Sequence, residues 1–111
     1  MMELAIQFHI GAVGARLLYP QAECETGNRI QHAGITNMGI GPAHKLAGLM
    51  DEGCLYHGHN LVNYNMIAVT GACLLLNREK FRQIQGFDEE LAVAYNDVEL
   101  CFRLYERGYL Q

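Results

Sequence analysis

The sequence predicts a single α/β domain, and three observations indicate that class. The chain has 111 residues, of which 50% are hydrophobic and 18% are charged, a composition typical of one folded domain. An apolar run at 67–76 has the length and the β-branched start of a buried strand. Two later segments, 77–86 and 96–108, carry the end signals and the apolar spacing of short helices.

The first half of the chain predicts a pair of strands followed by a long loop. Residues 10–19 form the first strand candidate, which ends at Pro20, because proline cannot donate to a strand ladder. A polar turn at 21–28 leads to the second strand candidate at 29–36. Residues 37–65 are rich in glycine and show no period, so we expect a loop with at most a helical turn near 43–50. A loop of this length in a small domain points to function.

The two predicted helices are defined by the residues at their ends. Asn77 is expected to cap the first helix, and Gly86 to end it at the first position beyond the carboxyl cap. Asn96 is expected to cap the second helix, with Glu99 reaching back to the Asn96 amide in a variant of the capping box. Gly108 ends this helix, and apolar side chains three or four residues apart give it one buried face.

Composition excludes several classes of function. The formal net charge is −4 and the eight basic residues are scattered, which does not favour a nucleic-acid partner. No apolar run reaches the roughly 20 residues of a membrane span, and Glu3 stands where a signal peptide carries positive charge. The four cysteines fall at irregular spacings without a CxxC motif, so we predict reduced thiols and a cytoplasmic location, with a disulfide left open.

A cluster at Cys54, His57 and His59 raises the question of zinc. Two histidines on a glycine-rich loop do not complete a tetrahedral site, and no fourth ligand is evident, so we predict that the chain has no metal site. His32 and His44 are expected to be structural or exposed. A small metal-dependent hydrolase built on these histidines is the least favoured alternative.

Residues 69–109 carry three motifs in a fixed order. They are Thr70-Gly71-Ala72-Cys73, then Gln85-Gly86-Phe87-Asp88-Glu89, then the acidic motif Asn96-Asp97-Val98-Glu99. The set resembles the acceptor-side half of a family 2 glycosyltransferase. Those GT-A-fold enzymes often carry a TGAC-type strand, a GGFDE-type turn and an acidic motif on a helix ending in Arg-x-x-x-x-Gly-Tyr. The runs GAVGARLLYP at 11–20 and IQHAG at 30–34 are similar to a strand pair of the same subgroup.

The resemblance implies that residues 1–111 form one partial domain, the acceptor-side half of a GT-A type mixed sheet with two short helices and a long glycine-rich loop. Three positions depart from the family pattern: Glu99 replaces the commoner aspartate, Gln85 the first glycine of the turn, and Asn77 a frequent arginine. The family's nucleotide-binding strand and its Asp-x-Asp motif have no counterpart in these residues. The parent enzyme is expected to use a nucleotide-sugar donor and a divalent metal, Mg²⁺ or Mn²⁺, and this chain to hold neither.

The resemblance places the catalytic base of an inverting sugar transfer at Asp97. Such a base accepts the proton of the acceptor hydroxyl as its oxygen attacks the anomeric carbon. The alternative is an ordinary first-turn acid that stabilises the helix dipole. For two parts of the expected acceptor pocket a structural alternative remains. Asp88 and Glu89 could form an ordinary solvated turn, and Gly71 could serve close packing. The residues expected to line the acceptor pocket are Thr70, Gly71, Ala72, Phe87, Asp88, Glu89 and Asn96.

The sequence therefore predicts a fragment of an inverting glycosyltransferase of polysaccharide biosynthesis, with a nucleotide-sugar and a glycan acceptor as partners of the parent enzyme. We expect the 111 residues alone to be inactive. The alternative from another class is a non-catalytic module that associates with itself. Half of a fold exposes a sheet edge that the other half would cover, so we predict a homo-oligomer, in the form of a symmetric dimer.

Overall fold

The computed structural model describes residues 1–20, 29–37, 39, 41–51, 55, 58, 61–91 and 95–111. Within them the fold is a small mixed α/β domain with three short helices and three small antiparallel sheets. The helices are α1 (Met2–Ala5), α2 (Arg78–Gln83) and α3 (Asn96–Glu106). The strands are β1 (Ala12–Gly14), β2 (Leu17–Leu18), β3 (Ile30–His32), β4 (Ile35–Asn37), β5 (Pro42–His44) and β6 (Leu74–Leu76). No described helix has the length and apolar character needed to cross a membrane.

Each sheet of the described residues consists of two strands. β2 pairs with β3, with Leu17 opposite His32, which confirms part of the predicted pairing of the first two strands. The predicted strand at 10–19 is, however, two strands. Its first part, β1, pairs with β6, with Val13 opposite Leu75. The Ala15 amide donates to the Cys73 carbonyl at 3.3 Å, directly after the last pair of β1 with β6, and β2 then pairs with β3.

The prediction of one buried strand over 67–76 is wrong in its first part. Strand geometry is confined to β6, and Gly71–Cys73 forms a 3₁₀ turn in front of it. The physical reason is that the Gly71 amide donates to a side chain, that of Asp97, rather than to a neighbouring strand. The backbone therefore turns at residue 71 and becomes extended only at Leu74.

The glycine-rich segment is partly ordered by strand pairing. β5 lies within it and pairs with β4, with Thr36 opposite Ala43. A turn follows at 45–48, where a helical turn was expected. Leu46 adopts a positive φ of 59° there, which interrupts helical geometry. The predicted polar turn at 21–28 lies outside the described residues.

The main hydrophobic core is built on α3. Leu100, Cys101 and Leu104 of this helix are fully buried, as predicted for its apolar face, whereas Tyr105, which was predicted on the same face, is 65% exposed. Burial of each leucine side chain stabilises the fold by about 1.5–3 kcal/mol. α1, which was not predicted, covers a second, smaller cluster. The other buried members of the main core are Ala12, Ile35, Ala68, Val69, Ile84 and Val98.

The two ends of α2 are formed by local hydrogen bonds. The Asn77 side chain accepts from the Glu79 amide at 2.8 Å, which confirms the predicted cap. At the other end the Gly86 amide donates to the Phe81 carbonyl at 3.0 Å, in the pattern of a Schellman motif. The first residue beyond the carboxyl cap is Gln85, with φ of 63°, and Gly86 follows it with φ of 74°. The expected place of Gly86 was therefore one residue too early.

The beginning of α3 differs from the prediction. Tyr95, with φ of 63°, occupies the cap position and supplies no side-chain cap, while Asn96 is already the first helical residue. The Glu99 carboxylate bonds to Arg103 and not to the Asn96 amide. The capping box is absent because the Glu99 side chain is directed along the helix, toward the next turn. Gly108, with φ of 88°, ends the helix as predicted.

Candidate functional site

Three successive backbone amides meet three side-chain acceptors at the turn of residues 70–72, which we call the amide turn. The Thr70 amide donates to Nε2 of His32 at 3.4 Å, and the Gly71 amide to Oδ2 of Asp97 at 2.7 Å. The Ala72 amide donates to Oγ1 of Thr70, also at 3.4 Å. The bond to Asp97 is the shortest of the three. It involves an ionisable carboxylate, and charge-assisted bonds are the stronger class.

The Asp97 carboxylate is held through both of its oxygens. Besides the Gly71 bond, Oδ1 accepts from the Val98 amide at 2.9 Å. Each oxygen of a carboxylate can accept more than one hydrogen bond. Among the described residues, no ion pair includes Asp97. The two bonds that orient the carboxylate within this part of the chain therefore come from neutral donors.

Asp97 and Gly71 come from two different sequence motifs that lie 26 residues apart. A β-carbon placed on Gly71 would lie 3.4 Å from the Asp97 β-carbon, an ordinary contact distance. Gly71 is thus distinguished by the close approach of its backbone to the Asp97 side chain, and not by a positive φ. The structure joins the TGAC motif to the acidic motif at one point.

His32 is a buried, neutral imidazole that accepts a hydrogen bond from the amide turn. Its Nε2 accepts from the amides of Gly34, at 3.2 Å, and Thr70. Nε2 therefore carries no proton, and Nδ1 of His32 donates to Nδ1 of the exposed His44 at 2.8 Å. The pKa of His32 is lowered from 6.5 to about 4, chiefly by burial and then by the neighbouring His44, while the charge of Asp97 acts in the opposite direction.

Arg103 joins α3 to the end of α2. Its guanidinium donates to both carboxylate oxygens of Glu99 and to the carbonyls of Ile84 and Gly86. Spacing alone relates Glu99 to Arg103, since residues four apart share a helix face. The two carbonyls belong to the turn after α2 and bear no such relation in the sequence. Arg103 therefore links the acidic motif to the turn that continues into Phe87.

Three of the residues expected in the acceptor pocket lie beyond that turn. Phe87 is exposed and its ring contacts the edge of Phe81, with ring centroids 5.5 Å apart. The Asp88 side chain accepts from the Glu90 amide at 3.0 Å, and Glu89 is exposed. No hydrogen bond of the described residues connects them to the amide turn. Asn96 precedes Asp97 in the first turn of α3.

A cavity of about 600 Å³ lies beside the amide turn rather than on it. His32, Gly34 and Val69 line it, together with the segment 61–66, and Asp97 does not. His32 thus has one side toward this cavity and its Nε2 bonded to the amide turn. We place the candidate site at Asp97, because hydrogen bonds from the amides of Gly71 and Val98 converge on its carboxylate.

Thiols and histidines give no metal site in the part of the chain that is described, where no group of three or more His, Cys, Asp or Glu side chains is close enough for one. The cluster of Cys54, His57 and His59 lies outside that part. Cys73 and Cys101 are free thiols. Burial raises the pKa of Cys101 to about 11, so this thiol is protonated at neutral pH, as expected for a structural cysteine.

Sequence reasoning missed the roles of two residues. His32 was treated as merely structural or exposed, although the two-residue period of a strand places it on the same face as the buried Ile30. No functional role was predicted for Arg103. The spacing from Glu99 could have indicated the ion pair, but neither residue carried a signal for its backbone partners.

The chain is similar over most of its length to parts of two much longer curated proteins. It is 37% identical over 118 residues to the uncharacterized protein y4gI of Sinorhizobium fredii (strain NBRC 101917 / NGR234), a match that covers 98% of this chain and 12% of that protein. It is 38% identical over 101 residues to the O-antigen biosynthesis protein RfbC of Myxococcus xanthus, covering 89% of this chain and 8% of that protein. The chain thus spans a small fraction of the length of both relatives. Neither a protein-family profile nor a solved structure matches it.

Proposed function

We propose that this chain is the acceptor-side part of an inverting glycosyltransferase of the family 2 type, acting in polysaccharide biosynthesis. The observation that carries the proposal is the 2.7 Å hydrogen bond from the Gly71 amide to Oδ2 of Asp97. It joins two of the three motifs on which the family resemblance depends. The similarity to an O-antigen biosynthesis protein supports the same class of reaction, because O-antigens are polysaccharides.

In this proposal Asp97 is the general base. It accepts the proton of the acceptor hydroxyl while that oxygen forms a bond to the anomeric carbon of the donor sugar. The bond from that carbon to the nucleotide diphosphate breaks at the same time, and the leaving group departs with the electron pair. The other part of the GT-A type sheet, a nucleotide-sugar site and a divalent metal belong to the parent enzyme, outside these residues. The proposed site of action is the cytoplasm.

The contacts of Asp97 suit that role. A base must lie within about 2.6–3.2 Å of the proton-bearing atom, and general-base catalysis is worth roughly 10²–10⁴-fold in rate. The two amides that donate to Asp97 fix the direction of its carboxylate without neutralising its charge.

The proposal is tested by Asp97→Asn in the complete gene product, assayed for sugar transfer from nucleotide-sugars to glycan acceptors. Asparagine keeps the shape of the side chain and an oxygen acceptor, but it cannot take up the proton. We expect the transfer rate to fall by roughly 10²–10⁴-fold. The 111 residues alone are expected to show no transfer.

Glu106→Gln is the matched control, because it makes the same chemical change at an exposed position of the same helix. This variant should retain the rate of the parent protein. A rate within a few-fold of the parent for Asp97→Asn would refute the assignment of the base. Sugar transfer by the isolated 111-residue chain would refute the division of the enzyme that we propose.

A second function, self-association without catalysis, is favoured by exposed apolar side chains near the amino terminus. Met2, Ile6 and Phe8 are 66%, 69% and 86% exposed, and each described sheet has only two strands and so has open edges. Exposed edges and apolar patches favour association. We expect light scattering coupled to gel filtration to give a dimer mass that Phe8→Ser lowers. A monomer mass at high protein concentration would contradict this second function.

A further inference from the structure

We infer that His32 is a positioning residue for Asp97, acting through the peptide that joins Thr70 to Gly71. The importance of this positioning for catalysis rests on the function proposed above. The hydrogen bonds of His32 and Asp97 do not depend on that function. His32 accepts the Thr70 amide, and Asp97 accepts the next amide, that of Gly71. Two consecutive donors of one short segment are therefore held by side chains from two distant parts of the chain.

The tautomer of His32 determines this arrangement. Nε2 accepts two amides, those of Gly34 and Thr70, and can do so only without a proton. The remaining proton is on Nδ1 and is donated to His44 at 2.8 Å. The low pKa of His32 keeps the imidazole neutral at pH 7, so the acceptor at Nε2 is present under ordinary conditions. The other charged group that acts on this imidazole is Asp97 itself.

The geometry at Thr70 controls the geometry at Gly71, because the two amides belong to adjoining peptides. Thr70 is 9% exposed and has an extended backbone, with φ of −73° and ψ of 143°. The hydrogen bond from the Thr70 amide to His32 fixes the orientation of the peptide plane that precedes Thr70. The next plane carries the Gly71 N–H that reaches Asp97. Loss of the acceptor at residue 32 would allow both planes to rotate, and small displacements of a catalytic group are costly.

A pair of polar substitutions separates this role from general support of the fold. In His32→Gln the amide oxygen can occupy the place of Nε2 and accept from Thr70. In His32→Asn the oxygen reaches only the place of Nδ1, on the side of His44. Both variants replace one polar side chain by another. His32→Leu removes the acceptor altogether.

The readout is the chemical shift of each amide proton in the ¹⁵N–¹H spectrum of the 111-residue chain. Spectra are recorded while the pH is changed so that Asp97 ionises. In the parent chain we expect the amide-proton chemical shifts of Gly71 and Val98 both to change with this ionisation, because each amide donates to the carboxylate. We call this change the response of the residue. In His32→Asn and His32→Leu we expect the Gly71 response to be largely lost while the Val98 response remains. Val98 is the internal control, since its bond is local and independent of the amide turn. His32→Gln should restore the Gly71 response.

Either of two results would overturn the inference. One is a Gly71 response that is unchanged in His32→Asn; the other is a parallel loss at Gly71 and Val98, which would show general loosening. If substitutions at the buried residue 32 prevent folding, His44→Ala decides, because residue 44 is exposed. Without its acceptor the Nδ1 proton of His32 is free to move to Nε2, and we expect a weakened Gly71 response. No change in His44→Ala would count against the inference.

This experiment measures no sugar transfer and is therefore independent of the proposed function. If Asp97→Asn retained full transfer while the Gly71 response depended on His32, the positioning would stand and the catalytic role would not. If the Gly71 response did not depend on His32 while Asp97→Asn abolished transfer, the catalytic role of Asp97 would stand and the positioning role of His32 would not. The two proposals can fail separately.

Discussion

The carboxyl-terminal region, residues 68–111, and the central region, residues 29–51, are stabilised in different ways. In the carboxyl-terminal region two helices with well-formed ends bury apolar side chains in one core. The central region consists mainly of three short strands, β3, β4 and β5, and His32 on β3 is a fully buried polar side chain. The first region depends on burial of apolar area, and the second on the hydrogen bonds of one neutral imidazole. The two regions should therefore respond differently to pH and to substitution.

The largest effect is expected from pH, acting on the central region. The folded state keeps His32 neutral down to a pKa of about 4, whereas the unfolded chain takes up that proton near pH 6.5. Unfolding therefore binds a proton between these values. The contribution of His32 to the free energy of unfolding is complete above pH 6.5 and is lost as the pH falls toward 4. A shift of this size corresponds to about 3 kcal/mol.

Urea denaturation at pH 7 and pH 4 measures this contribution when the parent chain is compared with His32→Gln. Other histidines and carboxylates titrate in the same range, but they are common to both chains. The parent should lose more stability than the variant between the two pH values. Equal losses would show that the central region does not depend on a neutral His32.

An intermediate effect is expected at the junction between α2 and α3. Arg103→Gln removes a guanidinium that bonds to Glu99 and to two carbonyls, and both side chains of this ion pair are about three-quarters buried, with 26% and 27% exposed. We expect a loss of about 1.5–3 kcal/mol in the free energy of unfolding. Arg82→Gln is the matched control, since its pair with Glu79 is exposed, 58% and 73%, and should contribute at most about 0.5 kcal/mol. Equal losses in urea denaturation would contradict the role of Arg103.

The smallest effect is a gain of stability at the end of α2. Gln85 has a φ of 63°, a backbone conformation that glycine adopts without steric cost. We expect Gln85→Gly to raise the free energy of unfolding by about 0.5–1 kcal/mol, measured by thermal or urea denaturation. Gln85→Ala keeps the β-carbon and should bring no gain. A destabilised Gln85→Gly would show that the side chain, rather than the backbone, matters there.

The sequence could predict those features that depend on neighbours in the chain. The cap of α2 is formed by residues two apart, Asn77 and Glu79, and the stop of α3 by a glycine that takes a positive φ. Signals of this kind are contained in a few adjacent residues. The apolar face of α3 follows in the same way from the helical period. These features were predicted correctly.

The features that could not be predicted depend on distant partners. The 3₁₀ turn in front of β6 exists because Gly71 meets Asp97, 26 residues away, and Thr70 meets His32, 38 residues away. Composition and period carry no information on such contacts, so an apolar run was predicted as a plain strand. Likewise, Asn96 is a good capping residue by type, yet Tyr95 holds the cap position. The family resemblance named Asp97 and Gly71 but gave no contact between them.

The amide turn also sets the polarity of the surface beside Asp97. All three of its N–H groups are already bonded to side chains of the protein. An approaching phosphate or carboxylate would find no main-chain donor in this turn and would meet the negative charge of Asp97. A neutral hydroxyl can donate to that carboxylate instead. The proposed role of Asp97 therefore predicts that an alcohol is favoured over an anion beside this turn.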